Sequence, residues 1–317
     1  MALKQVLEAY ELMDSPKVDG DQVKGMLLDA GIKHVESQRV YGPKGHTDFI
    51  RAVIPGSKGK TSGGDAPTLG IIGRLGGIGA RPERIGFVSD GDGAAVAIAA
   101  ALKLGRMHSL GDVLAGDVII ATHICPNAPT MPHDPVPFMD SPVDIATMNK
   151  YEVDPAMDAV LSVDTTKGNR IINYRGFAIS PTVKEGYILK VSEDLLDIMS
   201  IVTGKLPVVF AITLQDITPY GNDVYHLNSI LQPSTATSAP CVGVAITTET
   251  AVPGCATGAS HLSDMEQATR FVIEVAKAFT EGKCKFYDDE EYRRLLRLYG
   301  SLKHFQTMGL PDGEEED

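Results

Sequence analysis

An Ala-rich segment followed by a short, continuous apolar run constrains the fold of this chain most strongly. Residues 94–104 have the composition of a buried helix, and the run 118–122 (Val-Ile-Ile-Ala-Thr) shows no polar alternation. Continuous apolar strands are typical of parallel sheets that are covered on both faces. With the apolar segment 68–72 before the helix, they predict a β-α-β unit and hence an α/β fold.

The remaining apolar patterns extend this unit into one domain, residues 1–308, with a mixed, mostly parallel sheet flanked by helices. The segment up to residue 66, rich in Gly, Ser and Lys, is predicted to be a hairpin loop between two strands. The acidic residues 309–317 are expected to form a disordered tail. Helices are predicted at 6–12, 22–28, 94–104, 193–202, 265–279 and 288–305, and strands at 49–54, 68–72, 118–122, 159–164, 169–180 (a pair), 207–212 and 243–246.

The composition excludes several classes of partner. The net charge of −12 would repel both a nucleic acid backbone and an anionic membrane surface. The chain contains no Trp and few other aromatic residues, which argues against stacking platforms for bases or sugars. Its four cysteines form no disulfide framework, and the start of the sequence carries no apolar leader. We therefore expect a soluble, cytoplasmic protein that acts on a small-molecule or short-peptide ligand.

Carboxylates follow the predicted parallel strands. Asp90 and Asp92 precede the Ala-rich helix, Asp164 ends an apolar run, and Asp223 lies in a Gly-Asn-Asp turn. Open α/β sheets bind ligands at the carboxyl ends of their strands, so these side chains predict a shared polar pocket. The alternative is structural: helix capping by Asp90 or Asp92, and turns at Asp164 and Asp223.

The order of these segments resembles that of the co-catalytic zinc aminopeptidases, the glutamyl aminopeptidases and the single-domain leucyl aminopeptidases in particular. The resemblance implies their α/β core, self-association into homo-oligomers and a metal-dependent hydrolase of peptides or amino-acid derivatives. Only about 15 residues separate Arg74 from Asp90, too few for the inserted β-domain of the glutamyl family. The similar segments are 68–77, 89–99, 159–166, 214–223 and 241–246.

The chain departs from this family at its metal ligands. Arg74 stands where the family has its first ligand His, and Gly76 replaces the partner Asp. His123 and Cys125 occupy the segment of the Glu pair, which supplies a ligand and the general base in the family. Residues 254–257, where the family has its last ligand His, contain none. The resemblance therefore predicts a remodelled site instead of a working two-zinc centre.

The ligands that remain predict at most a modified metal site. Zn²⁺ or Mn²⁺ would be held by Asp90, Asp92 and Asp164, with His123 as a ligand or catalytic base and His133 as a further ligand. The sequence has no HExxH or CxxC spacing that would support such a site. Hydrogen bonding of His123 to loop backbone, with no metal at all, remains the alternative.

Arg74 suggests a different use of the same pocket. A guanidinium beside Asp90 or Asp164 would replace the missing metal charge and could bind an anionic or carboxylate-bearing molecule, or serve a structural role. Asp223 would bind or orient the substrate, or stabilise a turn. Two functions therefore remain open: a metallopeptidase-like hydrolase of a small peptide, amino-acid amide or acyl derivative, and a non-catalytic protein that binds a small anion or serves as an assembly subunit.

A second His-x-Asp string, His46-Thr47-Asp48, competes with this assignment. In related aminopeptidases this motif follows an apolar strand, whereas here the apolar segment comes after Asp48. We therefore favour a turn or strand-capping role for Asp48 over metal ligation.

Overall fold

Seven helices and eleven strands are present in the part of the chain that the computed structural model describes, which comprises residues 1–74, 77–79, 86–132, 134, 137–212, 229–250 and 258–306. The helices are α1 Leu3–Met13, α2 Gly20–Asp29, α3 Asp92–Ser109, α4 Ile145–Glu152, α5 Glu193–Thr203, α6 Leu262–Thr280 and α7 Asp289–Tyr299. The strands are β1 His34–Gly42, β2 Gly45–Ile54, β3 Leu69–Gly73, β4 Val118–Ile124, β5 Thr130–Met131, β6 Phe138–Met139, β7 Ala159–Thr165, β8 Gly176–Ile179, β9 Val183–Lys184, β10 Tyr187–Ile188 and β11 Cys241–Thr247. Short 3₁₀ segments lie at Lys60–Ser62, Ser89–Gly91, Ser229–Thr235 and Lys303–Phe305.

The large sheet has the order β1-β2-β4-β3-β7-β11-β9-β10, and β8 also pairs with β11. Its centre consists of the four parallel strands β4, β3, β7 and β11, while β1 and β2 on one side and β8, β9 and β10 on the other are antiparallel. This confirms the predicted α/β class with a mixed sheet flanked by helices. The carboxyl ends of the four parallel strands meet at one edge, which we call the carboxyl edge.

The two faces of the sheet are covered differently. Side chains alternate along each strand, so that Ile71 faces the large core cluster that also contains α3 and α6, and Ile72 belongs to a smaller cluster on the opposite side. Helix α4 and the 3₁₀ segment Ser229–Thr235 contact this second side. We call it the α4 face.

Some local predictions were wrong. Strand β4 lies between β2 and β3, so the segment 55–68 is not a hairpin loop. The carboxylate of Asp117, just before β4, instead accepts hydrogen bonds from the backbone N–H groups of Gly56 and Thr61, at 2.8 and 2.9 Å, and holds the segment across the end of β4.

Other differences concern the ends of elements. Strand β1 was not predicted, because its sequence is largely polar and Val35 is its single buried residue. The segment 207–212 forms no strand; Val209 makes a single bridge to Ile179. The last helix ends at Tyr299, since Gly300 adopts a φ of +82° that helical residues do not have. None of the helices in the described ranges has the length and apolarity needed to cross a membrane.

Candidate functional site

Three of the predicted site residues lie side by side at the carboxyl edge. Gly73 of β3 is in register with Thr122 of β4 and with Val163 of β7. The next residue on each strand is therefore at the same level, and these residues are Arg74, His123 and Asp164. The backbone N–H of Arg74 donates to the Val163 carbonyl at 2.8 Å, which extends the ladder by one residue beyond β3.

All three residues belong to the α4 face. Alternation places Arg74 with Ile72, and His123 with Ala121, both of which are in the cluster on that face. Asp164 follows Val160 of the same cluster by four residues, an even spacing along β7. The sheet thus brings a guanidinium, an imidazole and a carboxylate to one surface.

Glu152, the last residue of α4, joins two of these groups. Its Oε2 accepts from Nη1 of Arg74 at 2.5 Å, and its Oε1 lies 2.5 Å from Nδ1 of His123. The side chains of Arg74 and Glu152 are only 1% and 0% exposed. Burial alone would raise the pKa of Glu152, but the charge of Arg74 and the hydrogen bonds from His123 and Arg74 hold it below its ordinary value. The carboxylate is therefore ionised, and it is the counter-ion that Arg74 needs inside the protein.

Arg74 uses only part of its hydrogen-bonding capacity. Its Nε and Nη2 are buried and have no hydrogen-bond partner. These two N–H groups form one side of the planar guanidinium, the side that binds a carboxylate with two parallel hydrogen bonds. A buried donor without a partner costs about 1–3 kcal/mol, and more when it is charged. We call Nε and Nη2 of Arg74 the open fork. These two donors lack acceptors, although the charge of the guanidinium is already compensated by Glu152.

Helix α4 is fixed so that Glu152 reaches the sheet. The side chain of Asp144 caps its first turn by accepting from the Thr147 N–H at 2.7 Å. One turn before Glu152, the buried Asn149 donates from Nδ2 to Oγ1 of Thr235 at 3.3 Å. This contact ties α4 to the 3₁₀ segment Ser229–Thr235, and the two together cover the α4 face next to Arg74.

Asp92 belongs to a different buried cluster. It begins α3, and its carboxylate accepts from Lys167 Nζ at 3.0 Å and from Ser260 Oγ at 2.5 Å. Burial raises the pKa of Asp92 above its ordinary value despite the neighbouring Lys167. Asp92 therefore links the residues that follow β7 to the residues that precede α6.

The other predicted carboxylates are close to backbone. Asp164 Oδ1 accepts from the N–H of Thr165 at 2.6 Å, a contact that a strand-end turn would make. Asp90 lies in the 3₁₀ turn Ser89–Gly91, so close to Gly77 that a Cβ there would be 2.8 Å from Asp90 Oδ2. Further interactions of Asp90 and Asp164 involve other groups.

The predicted metal ligands do not come together within the described residues. In those ranges no group of three or more His, Cys, Asp or Glu side chains is arranged to hold a metal ion. His133 and Asp223 lie outside the described residues, so the metal site stays a prediction. Cys125 behaves as a packed thiol: burial raises its pKa to about 12, which leaves it protonated and unreactive.

Sequence reasoning missed the residue that organises the site. Glu152 lies in a helix of only eight residues that was not predicted, and the segment before it is rich in proline. Arg74 was expected to pair with Asp90 or Asp164, whereas its ion partner is Glu152. A buried Arg at a strand end requires an acidic partner, and this requirement was the one available signal for a further carboxylate.

Fold and site together define an α/β protein with a buried Arg-Glu-His cluster at the carboxyl edge of four parallel strands. The chain belongs to the family described as "Protein of unknown function (DUF1177)", whose model matches residues 38–309. A comparison with curated proteins gives no match.

Proposed function

We propose that this protein binds a small carboxylate-bearing molecule at the carboxyl edge, with Arg74 holding the carboxylate. The open fork of Arg74 carries this proposal, because Nε and Nη2 are buried donors without a partner. A ligand carboxylate would supply the two acceptors that the fork lacks. The position also fits, since open α/β sheets bind ligands beyond the carboxyl ends of their parallel strands.

The hydrogen-bond donors of the Arg74 fork favour a carboxylate, and because Glu152 already balances the charge of Arg74, a ligand with more than one negative charge is disfavoured. Glu152 neutralises Arg74 through Nη1 and fixes the plane of the guanidinium. The fork is thereby held in one orientation before a ligand arrives, which reduces the entropy lost on binding.

Calorimetry and thermal unfolding of the purified protein test the proposal. The probes are the straight-chain acids from formate to hexanoate, together with the corresponding primary alcohols. We expect at least one acid to bind with a 1:1 stoichiometry and to raise the Tm in a concentration-dependent manner, while the alcohols have no effect. The variant Arg74→Lys keeps the positive charge beside Glu152 but lacks the fork, so it should fold and lose most of the response.

Arg39→Lys is the matched control. Arg39 has the same fork in use elsewhere, with Nε and Nη2 bonded to Asp48 at 2.6 and 2.8 Å. Its replacement should leave acid binding unchanged. An equal response of Arg74→Lys and the unmodified protein would place the binding elsewhere, and the absence of any response to the acids would refute carboxylate binding by this fork.

Hydrolysis at the same edge is the second candidate, and the contact of His123 with Glu152 favours it. A carboxylate on Nδ1 keeps the proton on that nitrogen in the neutral ring, so that Nε2 is the nitrogen that accepts a proton, as in a general base. By resemblance to the zinc aminopeptidases, the substrate would be a small peptide, amino-acid amide or acyl derivative. Zn²⁺ or Mn²⁺ would be bound by Asp90 and Asp164, in a cytoplasmic homo-oligomer.

Activity and metal content are measured together to test this candidate. Turnover of amino-acid amides and acyl-amino acids is followed before and after loading with Zn²⁺ or Mn²⁺, and bound metal is determined after dialysis. We expect Asp164→Asn to reduce bound metal and His123→Gln to reduce turnover while metal remains. Less than about one-tenth of a metal ion per chain, with no turnover, would rule out the metal hydrolase and leave carboxylate binding untouched.

A further inference from the structure

We infer that the ligand extends from Arg74 to the hydroxyl of Thr247 and carries a neutral hydrogen-bonding oxygen at that end. The ligand class is thus a monocarboxylate with a distal carbonyl or hydroxyl group, such as a short keto acid. This inference rests on the proposed carboxylate binding, which it makes more specific.

Thr247 is a second buried group without a partner. It is the last residue of β11, it is fully buried, and its Oγ1 makes no hydrogen bond. The next residue, Thr248, shows the contrast, since its Oγ1 accepts from the Gly168 N–H and donates to the Thr250 carbonyl, both at 2.8 Å. Among the described residues, the hydroxyls buried without a partner are those of Thr68, Ser162 and Thr247. Only Thr247 of these three lies at the carboxyl edge, where an additional acceptor would offset the cost of its burial.

Thr247 lies on the same face as Arg74. Ala245 is in register with Asp164 and belongs to the α4 face, as does Cys241 of the same strand. Thr247 follows Ala245 by two residues, so its side chain points to the same face and lies two residues closer to the carboxyl edge. A ligand that enters over the strand ends and binds Arg74 would pass this hydroxyl.

The spacing sets the length of the ligand. Strand β7 separates β3 from β11, and Thr247 is two residues beyond the level of Arg74. Two strand spacings and two residue rises put the Cα atoms on the order of 12 Å apart. Both side chains stand roughly perpendicular to the sheet, so only the two hydrogen bonds of about 3 Å each are subtracted; the remaining gap of about 6 Å fits an acid of about five carbon atoms.

Charge decides the chemistry of the distal end. Asp164 lies at the level of Arg74 on the strand between the two anchors, and Glu152 already compensates the guanidinium of Arg74. A second carboxylate on the ligand would add a further negative charge next to Asp164, and repulsion between the two carboxylates would disfavour it. A carbonyl oxygen could accept from Thr247 without this penalty.

Three acids of equal chain length test the inference by calorimetry: pentanoate, levulinate (the same chain with a ketone) and glutarate (with a second carboxylate). We expect levulinate to bind the unmodified protein about tenfold more tightly than pentanoate or glutarate, the effect of one additional buried hydrogen bond. Thr247→Val should abolish the preference for levulinate but retain pentanoate binding. Thr247→Ser, which restores the hydroxyl, should retain the preference.

Ser162→Ala is the matched control. Ser162 Oγ is also buried without a partner on the α4 face, but it lies on β7 one step further from the edge than Asp164. Its loss should leave the preference unchanged. Equal affinity for the three acids, tightest binding of glutarate, or loss of the preference in Ser162→Ala would each overturn the inference while carboxylate binding stands; failure of all three acids to bind would instead refute the proposed function beneath it.

Discussion

Two arginine residues of the same sheet use the same guanidinium geometry with opposite results. Arg39 on β1 faces Asp48 directly across the β1–β2 ladder, and both N–H groups of its fork are bonded to that carboxylate. Its side chain is 43% exposed. Arg74 is buried, bonds to Glu152 through Nη1 alone, and leaves its fork without acceptors.

The comparison separates a structural use of arginine from a functional one. Asp48 also accepts from the Gly20 N–H at 2.8 Å, so the Arg39 pair fixes the start of α2 against the sheet edge. Both N–H groups of the Arg39 fork are bonded inside the protein. In the Arg74 cluster some hydrogen-bond donors lack acceptors, and burial makes each missing hydrogen bond more costly. Buried clusters with unpaired polar groups in native proteins are commonly functional sites. Asp48 was predicted to lie at a turn or at a strand end; it lies inside β2 instead, and its carboxylate accepts from Arg39 and from the Gly20 N–H.

The largest effect is expected for Glu152→Gln, which removes the counter-ion of Arg74 and retains the shape of the side chain. An uncompensated buried guanidinium should lower the free energy of unfolding by about 3–5 kcal/mol. Urea denaturation at neutral pH measures it. The double variant Arg74→Met, Glu152→Gln should regain part of this loss, because it removes the buried charge as well.

Asp154→Asn provides the control for this prediction. Asp154 pairs with Arg51 at 2.6 Å in a partly exposed position, so its loss should lower stability by no more than about 1 kcal/mol. If Glu152→Gln were no more destabilising than Asp154→Asn, the buried cluster would be no different in kind from a surface ion pair.

A smaller, pH-dependent effect is expected for Asp48. Burial alone would raise its pKa, but hydrogen bonds from Arg39 and the Gly20 N–H lower it below the ordinary value. A carboxyl with a lowered folded-state pKa stabilises the protein above its unfolded pKa of about 4, and this stabilisation is lost as the pH falls further. The stability difference between the unmodified protein and Asp48→Asn should therefore be about 1–3 kcal/mol at neutral pH and shrink below about pH 4.

The contribution of Asp92 to stability is expected to change with pH in the opposite direction, so Asp92 serves as the internal comparison for Asp48. Because burial raises its pKa, its protonation favours the folded state, and its contribution falls as the pH rises above about 4. The difference between the unmodified protein and Asp92→Asn should change with pH in the reverse direction to that of Asp48→Asn. Parallel changes for the two variants would mean that the assigned partners do not control either carboxyl.

The central sheet could be predicted from the sequence because its signals are local. The apolar runs of β3, β4, β7 and β11 and the Ala-rich helix α3 each carry their own periodicity. The strand order could not, because nothing in the segment 55–68 shows that it crosses the end of β4 instead of closing a hairpin. That outcome depends on Asp117, which is distant in sequence from the groups it binds.

The site was predictable only where it lies on those strands. Arg74, His123 and Asp164 follow apolar runs, so their meeting at one edge follows from parallel pairing. Glu152 comes from the short helix α4, whose position is fixed by tertiary contacts of Asn149 with a 3₁₀ segment far along the chain. Which carboxylate neutralises a buried Arg is a tertiary property, and local sequence patterns do not contain it.

The smallest effect is expected for Ser162→Ala. The hydroxyl of Ser162 is buried without a partner, so its removal deletes an unsatisfied polar group and leaves only a very small cavity. We expect the free energy of unfolding to stay unchanged or to rise by up to about 1 kcal/mol, as measured by urea denaturation. A loss of more than about 1 kcal/mol would show that Ser162 makes a stabilising contact. In that case the unpaired hydroxyl of Thr247 would also lose its value as evidence for a ligand on this face. The open fork alone would then distinguish the buried Arg74 from Arg39.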